Sequence, residues 1–252
     1  MRQQLFQTAK LASVGELSAG VAHEINNPLN GVINFAQLLK DEGAGRTDFE
    51  RQMLDGIIEE GERIASIVRG LLTFARHDEQ RVGRVSFGEA VNTSLALFGR
   101  QFEKDGIRVE TDVPADLPFV RADRSRLRQV VLNMVSNAHH ALKSKAGADG
   151  GADKLFRISA RRARRGAREF VRAEFYDNGV GIRREDLERV FDPFFTTRRD
   201  AGGTGLGLSI SFGIVHDYGG TIRAESEPGR FARFVVELPA YEEGAEVDGD
   251  GA

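Results

Sequence analysis

The stretch LFRISARRARRGAREFVRAEFYDNGVGI, residues 155–182, decides how the second half of the chain folds. Apolar residues alternate with polar and charged ones from Leu155 to Ala163 and again from Phe170 to Asp177, the period-two signature of half-buried strands. Arg164, Arg165 and Gly166 are expected to turn the first strand back on the second, so the pair reads as an antiparallel hairpin. Alternation puts many of the arginines between Arg157 and Arg172 on one outer face. Solvated arginines of a hairpin are the ordinary reading of that face, and a polyanion patch is the rarer one. The second strand runs straight into Asp177-Asn178-Gly179-Val180-Gly181-Ile182, whose glycines permit tight turning and close backbone approach.

Outward from this hairpin, helices and strands alternate. Ser86 with Glu89 three residues on is a capping box for a helix through about Lys104. Ile107–Val113 alternates as a strand, and Phe119–Ala122 is a second candidate. Asp123 is placed to start a long helix to about Lys145, followed by a loop over 146–153. Downstream, a short helix is expected over Glu185–Val190, a longer one from Gly205 to about Tyr218, and strands over Thr221–Glu225 and Phe231–Leu238. Strands mixed with helices predict an α+β sandwich, one sheet covered by helices, over residues 80–240.

Residues 1–79 have another period. Leu11, Val14, Ser18, Val21, Ile25, Pro28, Val32, Phe35 and Leu39 alternate spacings of three and four, a heptad seam with lapses at Ser18 and Pro28. Leu54, Ile57, Gly61, Ile64, Val68, Leu71 and Ala75 repeat the pattern, and Asp41–Asp48 reads as the turn of an antiparallel helical hairpin. Two helices cannot bury both seams alone. Pairing with a second copy into a four-helix bundle is the expected solution, and packing against the rest of the chain is the alternative. The polar run 77–84 reads as a linker, and 241–252, with five acids and no base, as a disordered acidic tail.

Composition narrows the classes of function. The 252 residues are 40% apolar, enough for a core, and carry a net charge of −3, which gives no reason to expect nucleic-acid binding. The lack of cysteine excludes disulfides, cysteine–zinc sites and thiol catalysis. No apolar run is long enough for a membrane span, and the polar start is no signal peptide, so a soluble, cytoplasmic chain is expected. Glycine is in excess at 29 residues, and seven of them fall between Gly179 and Gly213.

Four constellations carry chemistry. His23 falls at a heptad position facing away from the seam, with Glu24 beside it and Asn27 one helical turn on. An ordinary solvent-facing histidine is the alternative, but a neutral imidazole next to a carboxylate that takes the proton of its other nitrogen is a nucleophile. Asn133 and Asn137 share one edge of a helix whose buried stripe is Leu127, Val130, Val131, Met134, Val135, Ala138 and Leu142. Mid-helix asparagine is a poor helix former, and amide oxygens are hard ligands suited to Mg²⁺ carrying a nucleotide's phosphates. Asp177 at a strand end can accept a hydrogen bond from an exocyclic amine such as that of adenine, although its motif is equally a common turn. Gly202-Gly203-Thr204-Gly205-Leu206-Gly207-Leu208 opens a helix, where glycine-rich backbone amides make a phosphate cradle. It is neither a Rossmann fingerprint, for which Leu208 should be glycine, nor a Walker loop, which needs Gly-Lys-Ser/Thr.

In this order the motifs resemble those of the sensor histidine kinases of two-component signalling, over nearly all of residues 5–240. AHEINNPL (22–29) resembles the H box, QVVLNMVSNA (129–138) the N box, DNGVGI (177–182) the G1 box, FDPFFTT (191–197) the F box and GGTGLGL (202–208) the G2 box. HEINNPL and FDPFFTTR look most like the nitrogen-sensor branch. The resemblance implies a dimerisation and histidine phosphotransfer domain over 1–79 and an ATP-binding domain over 80–240 with the Bergerat fold shared by gyrase, Hsp90, histidine kinase and MutL ATPases.

It also implies roles. His23 would accept the γ-phosphoryl group of ATP and pass it to an aspartate of a response-regulator receiver domain, with Glu24 as acid/base partner. Asn27 would match the family's phosphatase position. Asn137 would bind Mg²⁺ with Asn133 near the phosphates, and Asp177 would read adenine. Gly179, Gly181, Phe194, Arg198, Gly203, Thr204, Gly205, Leu206 and Gly207 complete the expected cofactor-binding set. The gyrase-type enzymes have a water-activating glutamate where this chain has Asn133, so transfer rather than hydrolysis is expected. Two departures stand out: Phe231 occupies the second glycine of a turn motif near the last strand, and Arg198 stands where lysine is common. The chain starts close to the H box, so its signal is expected from a separate sensor partner or from a sensor domain outside this sequence.

Overall fold

The structure is a computed structural model and describes residues 25, 29–41, 47–58, 61, 64, 82–145, 153–198 and 203–242. The chain divides into two compact units: Met1–Glu79 with Asp192–Ile210, and Gln80–Phe191 with Ser211–Ala252. Each is described by itself.

In the first unit, residues 29–41 form helix α1 and residues 48–58 helix α2. Thr47 caps α2 through a full capping box: its Oγ1 accepts from the Glu50 N–H at 3.3 Å, and the Glu50 carboxylate accepts from the Thr47 N–H at 2.9 Å. This Thr-x-x-Glu signal stands in the sequence but the hairpin reading did not use it. The helices run antiparallel, with Lys40 paired to Asp55 at 2.7 Å and Gly61 set against Ile33, whose Cγ1 would lie 2.5 Å from a Cβ added to that glycine. Ala36 and Leu54 are buried, whereas the seam residues Val32, Phe35, Leu39, Ile57 and Ile64 are exposed in the single chain. The rest of the turn, 42–46, lies outside the described residues, as do Val14, Ser18, Val21, Val68 and Leu71.

In the second unit, a five-stranded sheet runs in the order β2-β4-β5-β7-β6. Its strands are β2 (Ile107–Asp112), β4 (Lys154–Arg165), β5 (Arg168–Asp177), β6 (Thr221–Glu227) and β7 (Phe231–Pro239). Of these pairings β2–β4 is parallel and the rest antiparallel. Two short strands, β1 (Gly83–Val85) and β3 (Val120–Ala122), pair beside it. Helices α3 (Phe87–Lys104) and α4 (Arg124–Lys143) pack on one face. Helix α5 (Gly207–Asp217) follows the glycine loop. Capping accounts for where α3 and α4 start. Ser86 Oγ accepts from the Glu89 N–H at 3.2 Å, and Asp123 Oδ1 accepts from the N–H groups of Ser125 and Arg126 at 2.8 and 3.0 Å. The core lies between helices and sheet. Phe87, Val91 and Phe102 come from α3, the whole predicted stripe from Leu127 to Leu142 from α4, and Phe156, Ile158, Val171 and Phe175 from the sheet. Each large side chain buried this way contributes about 2 kcal/mol.

The structure corrects several of these expectations. Arg164 and Arg165 are strand, not turn, and pair with Glu169 and Arg168. The ladder is made by backbone groups and runs on until the left-handed Gly166 reverses the chain, whatever the polarity of the side chains. Gly83 and Arg84, expected at the end of the linker, belong to β1: Val85, Val120 and Ala122 are buried together, which a three-residue strand cannot announce by periodicity. Glu185–Val190 is a run of turns rather than a helix, tied by i→i+3 bonds from the Asp186 and Arg189 N–H groups to Arg183 and Asp186. Six residues return too few hydrogen bonds to offset helix nucleation.

The outer face of the sheet is an ion-pair lattice. Glu237, almost fully buried, is shared by Arg165, Arg172 and Arg223, and Glu174 receives Arg161 and Arg172. Many of the hairpin arginines are therefore paired across strands.

Candidate functional site

The described candidate residues form two groups, one in each unit. In the second unit, β5 ends at Asp177, whose pairing partners are Phe156 on β4 and Ala232 on β7. This central position buries its carboxyl group, which is 3% exposed, and Oδ1 accepts from the Gly179 N–H at 3.0 Å. Burial pushes the Asp177 carboxyl up to about 7, against the smaller downward pull of that hydrogen bond and of the Lys145 charge. A carboxylate placed this way gains from any further donor brought to it.

The loop after Asp177 is clamped from three sides. Asn178 Oδ1 accepts from the Leu155 N–H at 2.8 Å and its Nδ2 donates to the Asp153 carbonyl at 2.8 Å, so this side chain is a structural tie. Gly179 sits on the last turn of α4, where an added Cβ would lie 2.7 Å from the Ala141 carbonyl carbon, and the Val180 N–H donates to Ala141 O at 3.4 Å. Gly181 has φ 67 and lies against the Glu227 carbonyl, so no other residue fits it. The Ile182 N–H donates to Ser226 Oγ at 2.7 Å, and the Gly229 N–H to Val180 O at 2.7 Å. Both glycines therefore serve contacts between backbones.

Asn133 and Asn137 lie half-buried on one edge of α4, the second of them one turn before Ala141. The Asn133 Nδ2 donates to Ser211 Oγ on α5 at 3.0 Å, which orients its amide. Nothing local in the sequence pairs residues so far apart. The sequence reading also passed over His139, buried on α4 with Nε2 2.6 Å from Asp105 Oδ2 at the end of α3. Phe231, the departure from the family's turn motif, lies in β7 and stacks on Tyr176, ring centroids 5.8 Å apart. The turn is made by Gly229 at φ 74, which leaves position 231 free to carry a side chain.

The other group lies in Asp192–Ile210. Gly205, at φ 68, packs against the main chain of Phe194, and Gly203 packs against Thr196 and Arg198. Thr204 Oγ1 accepts from the Leu206 N–H at 3.4 Å, and α5 begins at Gly207, two residues later than expected. Burial lowers the pKa of the Arg198 guanidinium. His23, Glu24, Asn27 and Gly202 lie outside the described residues, as do Pro28 and the acidic run after Glu242. No helix among the described residues is long and apolar enough to cross a membrane.

Comparison with known proteins bears on the family and the fold. Residues 13–80 match the His Kinase A (phospho-acceptor) domain, and residues 122–242 match the histidine kinase-, DNA gyrase B- and HSP90-like ATPase. The two-component sensor PprA of Pseudomonas aeruginosa is 34% identical over 94% of this chain and 26% of that protein. The chain spans about a quarter to a half of the length of the curated relatives it matches. Among solved structures, full-length ShkA in complex with AMPPNP has a TM-score of 0.69 and 28% identity, over 90% of this chain and 46% of that one. The catalytic domain of the histidine kinase ThkA is 30% identical at a TM-score of 0.53, over 64% of this chain and 96% of that one. ThkA in complex with the response regulator protein TrrA reaches a TM-score of 0.63 at 26% identity, over 95% of this chain and 66% of that one. The chain belongs to the two-component histidine kinases, with a phospho-acceptor helical region followed by a gyrase- and HSP90-like ATPase domain.

Proposed function

We propose that the chain is an ATP-dependent protein-histidine kinase that phosphorylates His23 and passes the phosphoryl group to an aspartate of a response regulator. The observation that carries this reading is a buried Asp177 at the end of a central strand, behind a glycine loop, in a chain whose phospho-acceptor region contains His23. The residues present fit a nucleotide with its metal. Asn137 and Asn133 offer hard amide oxygens on one helix edge, the donor type Mg²⁺ takes. Bound there, Mg²⁺ would supply charge neutralisation at the phosphates.

The chain's own groups do the rest. Asp177 accepts from the adenine amine, with Gly179 and Gly181 keeping the loop close. Thr204, Gly205 and Gly207 offer backbone and hydroxyl donors to phosphate oxygens, beside Phe194 and Arg198, while Gly203 and Leu206, whose N–H groups go to Arg198 O and Thr204 Oγ1, hold the shape of the loop. An imidazole nitrogen of His23 attacks the γ-phosphorus, the bond to the ADP oxygen breaks, and Glu24 takes the proton from the other ring nitrogen. The phosphoryl group then moves to the carboxylate oxygen of the regulator's aspartate, and His23 is regenerated. Asn133, an amide, cannot act as a general base for water, which favours transfer over hydrolysis. Asn27 orients water on the phosphorylated regulator in a phosphatase reaction.

The chain works as a homodimer in the cytoplasm, where ATP is supplied. HEINNPL and FDPFFTTR support the nitrogen-sensor branch. The test is incubation with γ-labelled ATP and Mg²⁺. The chain takes label that His23→Ala abolishes, and equal label on both proteins refutes the role of His23. Loss of regulator dephosphorylation in Asn27→Ala, with self-labelling intact, tests the second activity.

A further inference from the structure

Phe194 is the one residue other than glycine with a left-handed backbone among the described residues, at φ 64. Such a conformation is costly for a bulky side chain and persists only where the surroundings impose it. Burial of the ring does not compensate, because Phe194 is 48% exposed. What meets its backbone is Gly205, itself left-handed at φ 68. A Cβ added to Gly205 would lie 2.5 Å from the Phe194 carbonyl carbon, 2.7 Å from its oxygen and 2.8 Å from its Cα. Two left-handed residues thus pack main chain on main chain. The same segment holds the near end of the loop. The Gly203 N–H donates to Arg198 O at 3.0 Å, and a Cβ on Gly203 would lie 2.7 Å from Thr196 Oγ1, which already accepts from the Arg198 N–H at 3.1 Å.

We infer that the left-handed backbone of Phe194 is a seat that sets the shape of the glycine loop 203–207 before any ligand arrives. Phe194 is then a positioning residue that acts through its main chain, and its phenyl ring is not the group that holds the loop. Steric reasoning supports this assignment. Packing at 2.5–2.8 Å from a would-be Cβ is possible only for glycine at 205, and the atoms it meets all belong to the Phe194 main chain. The inference deepens the proposed ATP site and rests on that reading only for the identity of the ligand.

The test is amide hydrogen exchange on the full chain without nucleotide, in Phe194→Gly, Phe194→Val and Gly205→Ala. Valine, branched at Cβ, resists the left-handed region, whereas glycine enters it freely. Phe194→Val and Gly205→Ala are expected to speed exchange of the Gly203 and Leu206 amides by about tenfold or more, while Phe194→Gly leaves it slow. Unchanged exchange across β4 and β5 reports that each variant is folded. If Phe194→Gly speeds exchange as much as Phe194→Val, the ring holds the loop and the inference falls; it falls equally if neither Phe194→Val nor Gly205→Ala changes exchange. A titration with a fluorescent ATP analogue separates the two readings. Affinity should drop about tenfold in the variants with a loosened loop, and undiminished affinity there would overturn the ATP assignment of the loop while leaving the seat in place.

Discussion

Asp177 is where burial and the proposed nucleotide recognition meet most directly. In the unfolded chain an aspartate titrates near ~3.9, and in the fold this one is pushed up to about 7. The folded state therefore keeps a proton over a range where the unfolded state has lost it. The contribution of Asp177 to unliganded stability falls as pH rises from about 4 to about 7 and is level above that. An adenine amine prefers the carboxylate, so nucleotide affinity has the opposite slope. Lowering the pH from 8 to 6 should weaken ATP analogue binding by up to about tenfold as the carboxylate protonates. Asp177→Asn should cost about 2 kcal/mol, roughly thirtyfold in Kd, and flatten that pH dependence in a titration series. Other residues of the site were less legible. The motif DNGVGI announces a turn, but not that Asn178 is spent on tying the loop to β4, nor that Ser211 takes the Asn133 amide nitrogen. Both contacts join residues distant in sequence, and no local pattern encodes them.

At the scale of the element, α4 carries the most. Its apolar stripe, its Asp123 cap and its two asparagines were readable because helical period and capping are local rules. The last turn of the helix also supports the Gly179 loop through Ala141. Asp123 holds two N–H groups at 2.8 and 3.0 Å. Asp123→Ala should cost about 1 kcal/mol, seen as a lower midpoint in urea unfolding with the slope unchanged. The elements that local rules missed are short or charged: β1, the arginine end of β4, and the turns over Glu185–Val190. In each, pairing with a distant strand or a cluster of tight turns decides the conformation, and a window of a few residues carries too weak a preference to show it.

For the whole molecule, the exposed seam matters most. Val32, Phe35 and Leu39 on α1 and Ile57 and Ile64 on the second helical segment are exposed in one chain, while Ala36, Leu54 and Gly61 are used for packing within it. On the second segment the heptad thus divides between packing inside the chain, through Leu54 and Gly61, and an apolar strip that continues with the exposed α1 seam and that a second copy would cover in the proposed four-helix bundle. Val32→Asp should convert a dimer to a monomer at micromolar concentration in sedimentation velocity, because a buried unpaired carboxylate costs several kcal/mol. A sedimentation coefficient unchanged by this substitution would place the dimer contact elsewhere. The sequence by itself determined the two kinds of architecture, the helix starts at Ser86 and Asp123, and the ordered motifs from His23 to Gly207, because periodicity, capping and glycine spacing act over a few neighbouring residues. Only the tertiary structure decided which seam residues pack within the chain, how the arginine face is neutralised, and which backbone meets each glycine. Those outcomes depend on groups tens of residues apart being brought within a few ångströms, where steric fit and burial set the energy.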